Sequence, residues 1–262
     1  MENCIEFPEA IEYSLLKKIR LPIILDFMET EENDIILDVG SGGGYFIRNI
    51  AKKSKLVIGL DMSLSNTKNA KRSIGHGNIC FVIGDATRSP FKKEVFDKIL
   101  ATEIIEHIEN DKLFIEECER TLKNRGHIVI TTPCTNPTLS LDWLRKISGV
   151  NIKEDFGHVR GGYTKNNLDK LLNQTKFKII RVSYFSQFFA ELSKIFTYLG
   201  RTIHSDSENW TSGRTQSKLI GTRSFRLYKF FFPILYQFSK LDKLLNMFKG
   251  HHIIIKASKT IK

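Results

Sequence analysis

Three aspartates, Asp38, Asp61 and Asp85, each close a short apolar run, and the first opens onto glycines at 40, 42, 43 and 44. So much glycine is costly to order unless something approaches the backbone closely or positive φ is required. A P-loop would end in Gly-Lys-Ser/Thr, and a dinucleotide fingerprint would read GxGxxG. The first ending is absent, and the second register fails because Tyr45 stands sixth from Gly40. The neighbouring acids fit a third ligand. Asp61 can accept from both hydroxyls of a ribose and Asp85 from an exocyclic adenine amine. Together they suit a neutral nucleoside carrying an amino-acid tail. Each acid also has a plainer use, Asp61 as a cap on the next helix and Asp85 in a turn.

The elements that position these residues alternate. Strands are predicted at 35–39, 55–61, 79–85, 97–103, 126–132 and 176–185, with helices at 44–53, 63–73, 111–123 and 163–174. That order indicates a parallel sheet with crossover helices, whose strand ends share one ligand-binding edge. HHIIIKAS (251–258) is expected to return as an edge strand. Four segments follow: a helical lead-in (1–34), a core (35–185), an insert (186–250) and a final strand with tail (251–262).

ILDVGSGGG, VIGLDMS, GDATRSPF, FDKILATEIIEHI and RTLKNRGHIVITTP occur in this order. The series resembles the successive motifs of class I S-adenosylmethionine-dependent methyltransferases, and is most similar to the small-molecule branch with the quinone-biosynthesis enzymes. The resemblance spans about residues 30–185. It implies a Rossmann-like α/β fold, a seven-stranded sheet with its last strand antiparallel. It also implies that S-adenosyl-L-methionine is the cofactor and S-adenosyl-L-homocysteine the product. Gly40, Gly42 and Gly44 would approach the methionine moiety, and Asp38 its amino group. Asp61 would bind the ribose, Met62 would pack on adenine, and Asp85 and Ala86 would contact its edge. Residues 101–103, Thr102 among them, would line the methyl-donor side.

Methyl transfer from a sulfonium needs alignment and a dry pocket, and a base only when the nucleophile arrives protonated. Glu103, His107 and His158 are the candidate catalytic residues. The Glu106–His107 pair also fits a role in shaping the pocket floor. No Asn/Asp-Pro-Pro-Tyr/Phe motif follows the fourth strand, which argues against adenine-N6 and glutamine methylation.

Basic character is confined to the C-terminal part. Residues 186–262 hold 13 Lys and Arg against 4 Asp and Glu, most of the chain's net +11. The uncharged run FFFPILYQFS (230–239) is about half the ~20 residues a spanning helix needs, and Pro233 is expected to start or kink a helix. Cations flanking aromatics fit a helical lid, contact of 223–249 with an anionic membrane or lipid, or, less well, nucleic acid. No signal peptide is evident, and Cys4, Cys80, Cys118 and Cys134 show no CxxC or His/Cys cluster. These features point to reduced thiols, no metal and a cytoplasmic protein that can sit peripherally on a membrane. The resemblance, together with the aromatic segment, implies a hydrophobic small-molecule or lipid-like acceptor. An RNA (tRNA or rRNA) methyltransferase and a non-catalytic S-adenosylmethionine-binding partner protein are the alternatives.

Overall fold

The computed structural model describes residues 13–75, 77–138, 158–193, 223–245 and 247–261. Helix α1 (Leu15–Met28) leads into strand β1 (Ile35–Val39), and a glycine turn then gives the short α2 (Ile47–Ile50). Next come β2 (Leu56–Asp61), α3 (Leu64–Ile74) and β3 (Ile79–Ile83), which passes to β4 (Phe96–Thr102) without a helix, then α4 (Asp111–Thr121) and β5 (Leu122–Pro133). After these come α5 (Lys165–Leu172), β6 (Phe177–Phe185), α6 (Arg223–Ser239) and β7 (His252–Lys259).

Seven strands form one sheet in the order β3-β2-β1-β4-β5-β7-β6. The ladders from β3 to β5 are parallel, and β7 runs antiparallel to both β5 and β6. The strand order reverses between β1 and β4, and in such a sheet a crevice opens outside their carboxyl ends. Apolar runs of five to seven residues are long enough to be buried on both faces, which is why they read as strands.

β7 is not an edge strand as its sequence suggested, because β6 occupies that edge. Its three isoleucines, Ile253, Ile254 and Ile255, are fully buried, and an edge would leave them half exposed. The lysines of β7 are accommodated by partners. Lys256 Nζ reaches Glu29 Oε2 at 2.6 Å, and Lys259 Nζ donates to the carbonyls of Glu119 and Leu122.

Each sheet face carries its own core. α1 places Ile24, Phe27 and Met28 against Ile36, Leu100, Val129 and Ile254. On the other face α4 and α5 bring Phe114, Ile115, Cys118 and Leu168 against Ile99, Ile128 and Ile255. The predicted helix over 44–53 is shorter than expected, because the glycine turn continues to Phe46 and the last residues, 51–53, tighten into a 3-10 turn. The helical lead-in begins at Leu15 among the described residues. Pro233 lies inside α6 rather than at its start.

Candidate functional site

The glycine turn is tied down from below and open above. Gly40 and Ser41 both donate to the Leu60 carbonyl, at 2.7 and 3.1 Å. Gly42 N–H donates to Asp61 Oδ2 at 2.7 Å, while Asp61 Oδ1 accepts from Ser63 N–H at 2.8 Å. Gly42 has φ +53°, and a Cβ there would meet nothing within 4 Å. Gly40 has φ +71°, and a Cβ would fall 2.6 Å from Ile104 Cδ1. The first glycine thus serves an open face and the second close packing. Gly44 differs from the expectation of ligand approach, since it is buried against Ile74 and Phe81.

Beneath this turn sits Asp38, buried, with neither carboxylate oxygen holding a hydrogen-bond partner. Burial first, and then the nearby Asp61 charge, raise its carboxyl well above the ordinary aspartate range. An unpaired buried carboxyl is unfavourable unless a donor or cation arrives.

A cleft of about 500 Å³ runs from the turn. Gly40 to Gly43 form one wall, Thr102, Glu103, His107 and His158 another, and Lys17 and Arg20 of α1 a third. Its size is that of a small-ligand site. Of the sequence candidates, the cleft gathers Gly40, Gly42, Thr102, Glu103, His107 and His158. Asp61, Met62, Asp85 and Ala86 stand instead on the adjoining shelf at the ends of β2 and β3. There Met62, Leu64 and Ile83 are exposed apolar side chains. Asp85 Oδ1 accepts from Thr87 N–H and Oγ1–H at 2.7 and 2.8 Å, so its turn-forming use is realised.

Glu103 follows β4 with φ +49°, a strained setting for a side chain of this size. It is held there by its own N–H to Thr131 O at 2.9 Å and by Thr131 Oγ1 on Oε1 at 3.1 Å. Its Oε2 lies 3.1 Å from Arg20 and 3.3 Å from His252 Nε2. Burial alone would raise this carboxyl, but Arg20 and His252 outweigh it and hold the group well below the usual range. Glu103 is therefore a poor proton acceptor and a good anchor for α1.

Glu106 is fully buried, and Thr132 Oγ1 donates to its Oε2 at 2.9 Å. Burial and the Glu103 charge push its pKa up to about 8, so it is protonated at neutral pH. Its backbone carbonyl accepts from Val159 and Arg160, and Arg160 in turn pairs with Asp111 at 3.0 Å. These bonds place His158 against His107, edge to face with centroids 4.6 Å apart. Burial first, and then the neighbouring His107, lower the His158 pKa, which favours the neutral ring at pH 7. Glu106, His107 and His158 each offer a ligand atom within 4.8 Å of the others, a grouping with the geometry to hold a cation.

Lys17, Arg20, Cys134, His251 and His252 line the cleft without having been singled out in the sequence. Lys17 has its pKa lowered to about 8 by burial and by Arg20. The His251–His252 pair at the start of a strand was the one available signal. Nothing near Lys17 or Arg20 marks them, because helix packing brings them in.

Residues 37–130 match the family model described as a methyltransferase domain. The chain is 32% identical over 127 residues to the ubiquinone biosynthesis O-methyltransferase of Glaesserella parasuis, covering 45% of this chain and 53% of that one. It is 32% identical over 105 residues to the Bartonella quintana protein of the same name, covering 38% and 42%. The chain thus spans about half the length of these curated relatives. Its fold is that of an S-adenosylmethionine-dependent methyltransferase from Mesorhizobium loti, with TM-score 0.57, 16% identity, and coverage of 94% of this chain and 100% of that one. A corresponding enzyme from Archaeoglobus fulgidus gives 0.56, 19% identity and 94% of each chain. Motif order, sheet topology and family match agree: residues 37–130 match a methyltransferase domain, in a chain with the fold of the class I S-adenosylmethionine-dependent methyltransferases and a stretch similar to the quinone-biosynthesis enzymes.

Proposed function

We propose that the chain transfers a methyl group from S-adenosyl-L-methionine to a nucleophilic atom of a hydrophobic, lipid-like small molecule. The observation that carries this reading is the buried Asp38 carboxyl, without a partner, under a glycine turn that walls one cleft with Glu103, His107 and His158. The residues fit the donor. Asp38 would take its ammonium group, and the open face of Gly42 its amino-acid backbone. Asp61 has lone pairs left for ribose hydroxyls, and Met62, Leu64 and Ile83 offer an apolar ledge for adenine.

Bound there, the donor supplies an electrophilic methyl carbon: the new bond forms as the carbon–sulfur bond breaks, and its electron pair leaves on sulfur. The chain's own work is positioning, exclusion of water and handling one proton. His158, kept neutral in the cleft, is the group best placed to take a proton from a phenol or similar acceptor. Glu103 serves by fixing Arg20 and His252, and neutral Glu106 by holding the loop that carries His158. The names of the two relatives favour oxygen as the atom methylated. Cys80, Cys118 and Cys134 are free thiols, which suits the cytoplasm.

Supplying methyl-tritiated donor to cell extract resolved into lipid, RNA and polar fractions tests the reading. Label is expected in the lipid fraction. Label in RNA would favour the tRNA or rRNA alternative, and donor binding with no labelled fraction a non-catalytic role.

A further inference from the structure

Helix α6 has two unlike faces. Tyr228, Phe232 and Tyr236, at helical spacing, face α1. Phe232 is buried, meets Tyr13 edge to face at 5.2 Å, and has Lys18 over its ring at 5.1 Å. Tyr228 O–H donates to the Tyr13 carbonyl at 2.6 Å. The opposite stripe is Leu227, Phe230, Phe231 and Ile234, spaced i, i+3, i+4 and i+7, and every one is exposed, Phe230 at 74%. The segment after the helix extends the patch with Leu241, Leu244, Met247 and Phe248. Eight of the fifteen exposed large apolar side chains among the described residues fall between 227 and 248, so this is one surface and not scatter.

Among the described residues of 223–250, the exposed charge has one sign. Arg226, Lys240, Lys243 and Lys249 are exposed. The single carboxylate of residues 223–250, Asp242, is buried and turned inward, accepting from the N–H groups of Gln187, Phe189 and Ala190 at 2.9, 2.8 and 3.1 Å. No helix among the described residues is long and apolar enough to cross a membrane.

We infer that this face docks onto an anionic lipid surface, with the apolar stripe entering the interface and the four cations meeting headgroups. Charge complementarity selects this occupant. A second copy of the chain would bring the same cations against themselves in a two-fold contact. RNA would meet the cations but leave Leu227, Ile234, Leu244 and Met247 without use. The inference deepens the proposed function, resting on it only for the acceptor. α6 packs on α1, whose Leu16, Lys17 and Arg20 line the cleft, so docking leaves one helix between the membrane and that wall of the cleft.

The test is co-sedimentation of the full chain with vesicles of phosphatidylcholine, with and without phosphatidylglycerol, beside equilibrium dialysis with S-adenosylhomocysteine. The chain should sediment with the anionic vesicles and not the neutral ones. Lys240→Glu with Lys243→Glu should weaken partitioning at least about tenfold, and Phe230→Glu with Ile234→Glu should abolish it. Both variants should keep the wild-type circular dichroism and S-adenosylhomocysteine affinity, since none of these residues touches the cleft. Sedimentation that both variants retain would overturn the inference. So would absence from anionic vesicles, whether accompanied by salt-sensitive tRNA binding or by a dimer that Phe230→Glu dissociates. Failure of S-adenosylhomocysteine to bind would instead overturn the methyltransferase reading and leave the docking result intact.

Discussion

Asp38 and Asp242 are both aspartates buried in this chain, and in both burial raises the carboxyl above its ordinary range. Their surroundings differ completely. Asp242 accepts three backbone N–H groups, which partly offset the burial and tie the turn after α6 to residues 187–190. Asp38 accepts none and lies under a turn whose upper face is open. A saturated carboxylate is a structural clamp, whereas an unsatisfied one is a binding group, because its cost is relieved only when something arrives. The contrast separates a region built for holding itself together from one whose polar groups stay open to the proposed ligand.

The comparison can be broken most forcefully at the clamp. Asp242→Ala leaves three N–H groups without an acceptor and should destabilise by about 3–5 kcal/mol. Urea unfolding, together with lost amide-exchange protection at Gln187, Phe189 and Ala190, would measure it. A change under about 1 kcal/mol would show that those groups find other acceptors.

Arg20→Leu tests the anchor between α1 and the cleft, and should cost about 3 kcal/mol, because Glu103 loses the partner that compensates its burial. Glu103 is held below its unfolded value, so its contribution is present above the ordinary carboxylate range and lost as pH falls through the lowered one. The variant should flatten that acid limb in a melting-temperature series against pH.

Asp38→Asn sharpens the ligand side. Affinity for S-adenosylhomocysteine should fall ten- to a hundredfold, about 1.5–3 kcal/mol, the worth of a charge-assisted hydrogen bond. Without ligand, stability at neutral pH should not fall. The raised Asp38 carboxyl stabilises the fold most at low pH and loses that contribution as pH rises through its folded value, and the variant removes this slope. A loss of stability at neutral pH with unchanged affinity would make Asp38 a second clamp. Smallest is Gly42→Ala, about 1–2 kcal/mol of strain at φ +53°, read by thermal melting.

Legibility followed the distance over which each feature is decided. The turn chemistry of Gly40 and Gly42, the strand ends at Asp61 and Asp85 and the parallel order of β1 to β5 are local, set by spacing and apolar runs. The place of β7 was not, because three consecutive isoleucines fit any strand buried on both faces, and only pairing with β5 and β6 chooses its position. Glu103 read as a base from its position after β4. Its partners Arg20 and His252 come from the two ends of the chain, and they decide that it stays ionised. His158 was identified in the sequence and lies in the cleft, but its lowered pKa comes from burial and then from the neighbouring His107, which only folding supplies.

Periodicity, spacing and charge are properties of neighbours in the chain, and they set the fold class, the glycine turn and the cationic, aromatic character of the segment around α6. Tertiary structure alone decided which carboxyl is left unpaired, which of Glu103 and His158 can accept a proton, and which face of α6 turns outward. Hydrogen-bond satisfaction, burial and pKa depend on groups that the chain brings together from far apart.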